Sequence, residues 1–142
     1  NLLVASLWKL FPRGWYGAGK ASSRAGELSA SLRISPSDPH RQARVLSGGN
    51  QQKIVIGKWL SAGCRLFIFD EPTRGIDIGA KTEVFNLIEG LVGQGAAVLL
   101  ISSELAEIVH VCDRAYVMRE GAIAGSLERN ELSEQNILRL AI

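Results

Sequence analysis

The sequence predicts an α/β fold, a mostly parallel sheet with flanking helices, and three observations predict it. From Val45 onward helical and strand-like patterns alternate, as they do where parallel strands are joined by crossover helices. The run LFIF at residues 66–69 is continuously apolar, of strand length, and ends in the carboxylates Asp70 and Glu71. A second such run, AVLLI at residues 97–101, follows after a helix-length interval.

The elements follow in order. Residues 1–10 read as helical and apolar on one side, residues 21–32 as a second helix, and SPSDPHR at 35–41 as a breaker. Residues 48–61 form a helix opened by Ser47, a favoured N-cap residue. Strand 66–69 is followed by a helix over 79–91, strand 97–101 and a short helix over 104–112. Residues 115–118 and 122–127 read as two strands turned through 119–121, and a helix over 133–140, capped by Ser133, closes the chain.

Composition narrows the function classes. The chain has 142 residues, is 46% hydrophobic with few aromatics, and carries a formal charge of only +2, so buried sheet accounts for its apolarity and no basic run marks nucleic-acid binding. No apolar stretch approaches the length of a membrane span and no leader pattern opens the chain. Starting at Asn1 rather than at methionine, the chain is expected to belong to a longer reading frame. Cys64 and Cys112 lack metal-ligand spacing and are expected to be reduced, packed thiols.

Two motifs carry the chemistry. LSGGNQQK at residues 46–53 places a serine and two glycines at a helix entrance, where free backbone N–H groups and the positive dipole end favour an anion such as a terminal phosphate. FDEP at residues 69–72 delivers Asp70 and Glu71 to the carboxyl edge of a sheet, where one carboxylate can hold hydrated magnesium and the other can polarise water. Together they point to an ATPase.

In that order LSGGNQQK, FDEPTRGID and LLISSEL resemble the signature motif, the Walker B strand with its D-loop, and the switch region of an ABC-transporter ATPase domain. The narrower wording, EPTRGIDIGAK at 71–81 and ISSEL at 101–105, resembles the second ATPase half of bacterial monosaccharide importers of the ribose, galactose and xylose type. The resemblance implies a partial P-loop NTPase fold, with residues 1–44 ending the helical subdomain and 45–142 forming the C-terminal part of the ATPase core. It implies that Ser47, Gly48 and Gly49 meet the γ-phosphate of ATP bound on the opposite domain; Asn50 and Gln51, in the first turn, are open to two readings, orienting the loop or standing as solvated helix polar residues. Asp70 would bind magnesium through water, Glu71 would orient or deprotonate the attacking water, and Asp77 of the D-loop would reach toward the partner site; a helix cap is an equally open role for Asp77.

Two departures from the family pattern matter. The Walker A loop and its strand are absent: GWYGAGKA at residues 14–21 offers Ala21 where a magnesium-binding hydroxyl belongs, follows no apolar strand, and reads as a glycine-rich loop between helices. Strands 97–101 and 115–118 should therefore have unpaired edges where that strand would lie. At the switch position, where most ABC ATPases hold a histidine, stands Ser103, which cannot carry positive charge. His110 and His40 read as ordinary packed or exposed histidines.

What the resemblance implies as a whole is an ATP- and magnesium-dependent component of a monosaccharide importer. Its partners would be a second ATPase domain, transmembrane permease subunits and, indirectly, a periplasmic or extracellular sugar-binding protein, at the cytoplasmic face of a bacterial plasma membrane. Without Walker A the segment alone is expected to be inactive. The alternatives are an inert truncated ABC fragment and a soluble, non-transport ABC ATPase.

Overall fold

A computed structural model describes all of residues 1–142. The order of elements is a 3-10 turn (Val4–Ser6), α1 (Leu7–Leu10), α2 (Ala18–Ser31), α3 (Gly48–Ala62), β1 (Leu66–Asp70), α4 (Ile78–Gly93), β2 (Ala97–Ile101), α5 (Leu105–Val111), β3 (Arg114–Arg119), β4 (Ala122–Glu128) and α6 (Glu134–Ala141). The chain divides into two compact units, residues 1–67 with 73–97, and residues 68–72 with 98–142.

The first unit is helical. Leu2, Leu3, Ala21, Leu28, Leu32 and Ile34 form its buried cluster, with Leu46, Ile54 and Leu60 packed against it. Burial of the leucine and isoleucine side chains stabilises by roughly 1.5–3 kcal/mol each. Helix α3 reaches this cluster through Gly57, where an added Cβ would stand 2.4 Å from Leu32 Cδ1 and 2.7 Å from Leu2 Cδ2. Lys53 of the same helix is almost fully buried. Its Nζ donates to the Arg33 carbonyl at 3.0 Å and pairs with Glu83 at 2.6 Å, so a cation closes the C-terminal end of α2 where Arg33 takes a left-handed φ of 51°.

The second unit is built on the antiparallel hairpin of β3 and β4, paired from Arg114 with Glu128 to Arg119 with Ala122. Glu120 and Gly121, both at positive φ, make the turn, the backbone that a two-residue hairpin connection requires. Helix α6 packs on both strands, with Ile137 and Val117 buried, and Ser133 caps it by accepting from the Asn136 N–H at 3.2 Å.

Strands β1 and β2 form a separate two-stranded sheet. The Ala97 N–H donates to Arg65 O at 2.8 Å and the Glu71 N–H donates to Ile101 O at 2.9 Å, so both strands advance in one direction and the pair is parallel. β2 and β3 are not paired with each other, as the missing-strand reading requires. The strands depart from the sequence expectation in burial. Phe67 and Phe69 are buried, but Leu66 and Ile68 are 60% and 62% exposed, because only one face of β1 is packed. The apolar run is continuous; its burial alternates.

Candidate functional site

The glycine-rich entrance of α3 lies in the first unit. Ser47 and Gly48 are exposed and Gly49 is buried. Ser47 occupies the N-cap position, yet its side chain caps no backbone N–H. Its Oγ instead accepts from Asn50 Nδ2 at 2.9 Å, while Asn50 Oδ1 accepts the Ser35 N–H at 3.0 Å and Gln51 Nε2 donates to Leu46 O at 2.8 Å. Asn50 and Gln51 are therefore bonded to the chain entering α3 rather than only to solvent, and Ser47 does not supply the expected side-chain cap. The serine is turned along its own helix by an amide one turn on, so the first-turn N–H groups keep no side-chain acceptor.

The two glycines differ in purpose. A Cβ on Gly49 would stand 2.6 Å from Ala80 Cβ, so its absence lets α3 approach α4. A Cβ on Gly48 would meet only Ile76 Cγ2 at 3.4 Å, an ordinary contact. Close packing explains Gly49, whereas Gly48 is exposed and its place would admit a side chain. Beside them Asp77 caps α4, its Oδ1 accepting the Ala80 N–H at 2.9 Å.

The carboxylate cluster lies in the second unit. Asp70 ends β1 with an exposed side chain. Glu71 follows in the left-handed region at φ 47°, a conformation that costs a non-glycine residue about 1–3 kcal/mol and persists only where its surroundings enforce it. Two bonds do so: its N–H donates to Ile101 O at 2.9 Å, and its Oε1 accepts the Ser103 N–H at 2.8 Å. The switch residue thus meets Glu71 through its backbone, while the Ser103 side chain stays exposed. Two residues that motif reading missed stand behind it: Ser102 Oγ donates to Glu107 Oε2 at 2.7 Å and accepts the Glu104 N–H at 3.0 Å. The signal was the acid five positions after Ser102.

An exposed carboxylate at a strand end fits magnesium, which keeps most of its waters and takes one or two carboxylates together with phosphate oxygens. No cluster of three or more His, Cys, Asp or Glu side chains forms an all-protein cage.

Other candidates fall away. The glycine-rich run at 14–21 lies between α1 and α2, Ala21 is core, and Lys20 Nζ is turned back onto Leu10 O at 3.0 Å. His110 is exposed in the last turn of α5, and His40 is exposed beside Ser22 Oγ at 3.3 Å. Cys64 is exposed rather than packed, because it follows the left-handed Gly63 that ends α3 and so lies outside the helix face that packs. Cys112 is half-buried, and burial, reinforced by the Asp113 carboxylate, raises its thiol pKa above the usual 9.0 although Arg129 opposes this.

Similarity to known proteins agrees with this geometry. The ribose import ATP-binding protein RbsA 3 of Rubrobacter xylanophilus is 48% identical over 141 residues, 99% of this chain and 28% of that protein. RbsA of Halalkalibacterium halodurans is 43% identical over 99% of this chain, and the arabinose import ATP-binding protein AraG of Rhizobium meliloti 41% identical over 100%, each across 28% of the relative. Along nearly its whole length the chain is similar to ribose and arabinose import ATP-binding proteins. It spans just over a quarter of the length of these relatives. The ATP-binding cassette MJ1267 of an ABC transporter superposes at a TM-score of 0.74 with 26% identity, over 96% of this chain and 56% of that one. A metal-chelate type ABC transporter in an inward-facing conformation shares the fold at a TM-score of 0.81 with 20% identity, over 98% of this chain and 55% of that one. No protein-family model matches the sequence. The segment thus has the α/β fold of these cassettes, and no helix in it is long and apolar enough to cross a membrane.

Proposed function

We propose that this segment serves an ABC importer for monosaccharides, contributing half of each of two chemical tasks in ATP hydrolysis. The import proteins to which it is similar carry the substrate class, and the Glu71 carboxylate held by the Ser103 amide carries the chemistry. In this reading Ser47 and Gly48 present N–H and hydroxyl donors to the γ-phosphate of ATP bound on a second ATPase domain. Gly49 brings the entrance close to α4, and Asn50 and Gln51 hold its shape. Asp70 binds magnesium through water, Glu71 orients or deprotonates the attacking water, and the Ser103 amide fixes Glu71. Asp77, besides capping α4, faces the partner site as the D-loop acid.

The magnesium ion, when bound, neutralises charge on the phosphates; the residues of this chain supply position. Residues 1–44 end the helical subdomain and 45–142 belong to the ATPase core. Permease subunits and, through them, a sugar-binding protein complete the assembly at the cytoplasmic face of a bacterial membrane.

The test uses Glu71→Gln in a protein that carries this segment together with a phosphate-cradling loop. ATP should bind as before while hydrolysis at this site falls by orders of magnitude and nucleotide remains trapped. Unchanged hydrolysis and sugar uptake would refute the role of Glu71.

A further inference from the structure

We propose that Ser102 and Glu107 are positioning residues for Glu71, acting through the backbone N–H of Ser103. The inference rests on the proposed ATPase role of Glu71 for its functional meaning, though its geometry stands alone.

Three hydrogen bonds in series make the device. Glu107 Oε2 accepts from Ser102 Oγ at 2.7 Å, Ser102 Oγ accepts the Glu104 N–H at 3.0 Å, and Glu71 Oε1 accepts the Ser103 N–H at 2.8 Å. A serine hydroxyl has one proton and two lone pairs. The proton is committed to a carboxylate and a lone pair to the Glu104 amide, so the peptide between Ser102 and Glu104 is gripped on both sides of Ser103. The Ser103 amide then has one direction left to point, toward Glu71. The anchor is sound: Glu107 is 6% exposed and sits in the first turn of α5, where the helix dipole favours an acid.

This arrangement changes what the departure at the switch position means. The Ser103 hydroxyl makes no hydrogen bond within the chain, so the loss of a histidine side chain there leaves the contact to Glu71 intact. The backbone makes it. Glu71 needs the contact because its left-handed φ is unfavourable for a side-chain-bearing residue.

Amide hydrogen exchange of the chain, read residue by residue, tests the proposal. The Ser103 N–H should exchange roughly five- to tenfold faster in Glu71→Ala, Ser102→Ala and Glu107→Ala, the loss of about one hydrogen bond. Ser102→Thr and Glu107→Gln, which keep the hydroxyl and an acceptor, should restore slow exchange, Ser103→Ala should leave it slow, and the β3–β4 amides should stay protected throughout. Equal Ser103 exchange in the unsubstituted chain and in Glu71→Ala, or in the unsubstituted chain and in Ser102→Ala, overturns the proposal; the Ser102 pair keeps the test decisive should Glu107→Ala unfold. In a protein with a complete nucleotide site, Ser102→Ala should lower kcat with little change in KM, and Ser102→Thr should recover it. A protected Ser103 amide in a protein whose Glu71→Gln variant hydrolyses normally would defeat the ATPase reading and leave the positioning contact standing.

Discussion

Two helix entrances in the first unit are built in opposite ways. At α4, Asp77 turns its carboxylate onto the Ala80 N–H, so a charged acceptor closes the helix start. At α3, Ser47 gives its oxygen to the Asn50 side chain, and the entrance has no side-chain cap. Sequence composition deepens the contrast, since no acidic residue occurs between Asp38 and Asp70, whereas Asp77 stands at the α4 entrance itself. A helix start with bare donors and no neighbouring acid in sequence is suited to an anion from outside; one already holding a carboxylate is not. The α4 entrance is closed by a side chain of its own, and the α3 entrance is not.

The strongest way to break this contrast is through the glycines. Gly49→Ala forces a Cβ to within 2.6 Å of Ala80 Cβ, with rigid helix on both sides. It should destabilise the chain by about 1–3 kcal/mol, read as a lower midpoint in urea with an unchanged slope. Gly48→Ala should leave the midpoint unchanged or raise it, because its nearest neighbour is 3.4 Å away and alanine favours helix. If the two variants melt alike, the division between a packing glycine and an open one fails.

Next in size is the pair of caps. Asp77→Ala removes a formed cap and should cost about 1 kcal/mol, whereas Ser47→Ala removes no backbone cap and should cost at most a few tenths. Ser133→Ala, at the other helix start with serine in the N-cap position, is the internal control and should behave like Asp77→Ala because its hydroxyl accepts the Asn136 N–H. Equal losses at Ser47 and Ser133 would mean that the α3 entrance is closed in solution.

Much of this was legible beforehand, for reasons that can be named. Helix α3 and strands β1, β2, β3 and β4 fall within a residue or two of expectation because each has a clear period or an apolar run bounded by glycine or polar residues. Asp70 and Glu71 fall at the end of β1, as the apolar run followed by two acids predicts. What could not be read were the contacts between elements distant in sequence. Nothing local says that Gly49 meets Ala80, that Lys53 closes the end of α2, or that the Ser103 amide meets the Glu71 carboxylate. The exposure of Leu66 and Ile68 was likewise hidden, since an apolar run does not reveal how many of its faces are covered.

The smallest effect sharpens the comparison most, because its sign is unusual. Asp and Ser rank nearly equal as N-caps, so Ser47→Asp should be close to neutral wherever the serine already caps. At an uncapped entrance the new carboxylate gains first-turn N–H groups and the helix dipole, and should stabilise the chain by about 0.5–1 kcal/mol. If those donors serve a phosphate, as proposed above, the same carboxylate would occupy them and repel it. Thermal unfolding of the chain should therefore shift upward in Ser47→Asp, while nucleotide turnover in a protein with a complete site falls. A stability gain alone would keep the open entrance and remove its ligand; no gain at all would put the two entrances in the same class.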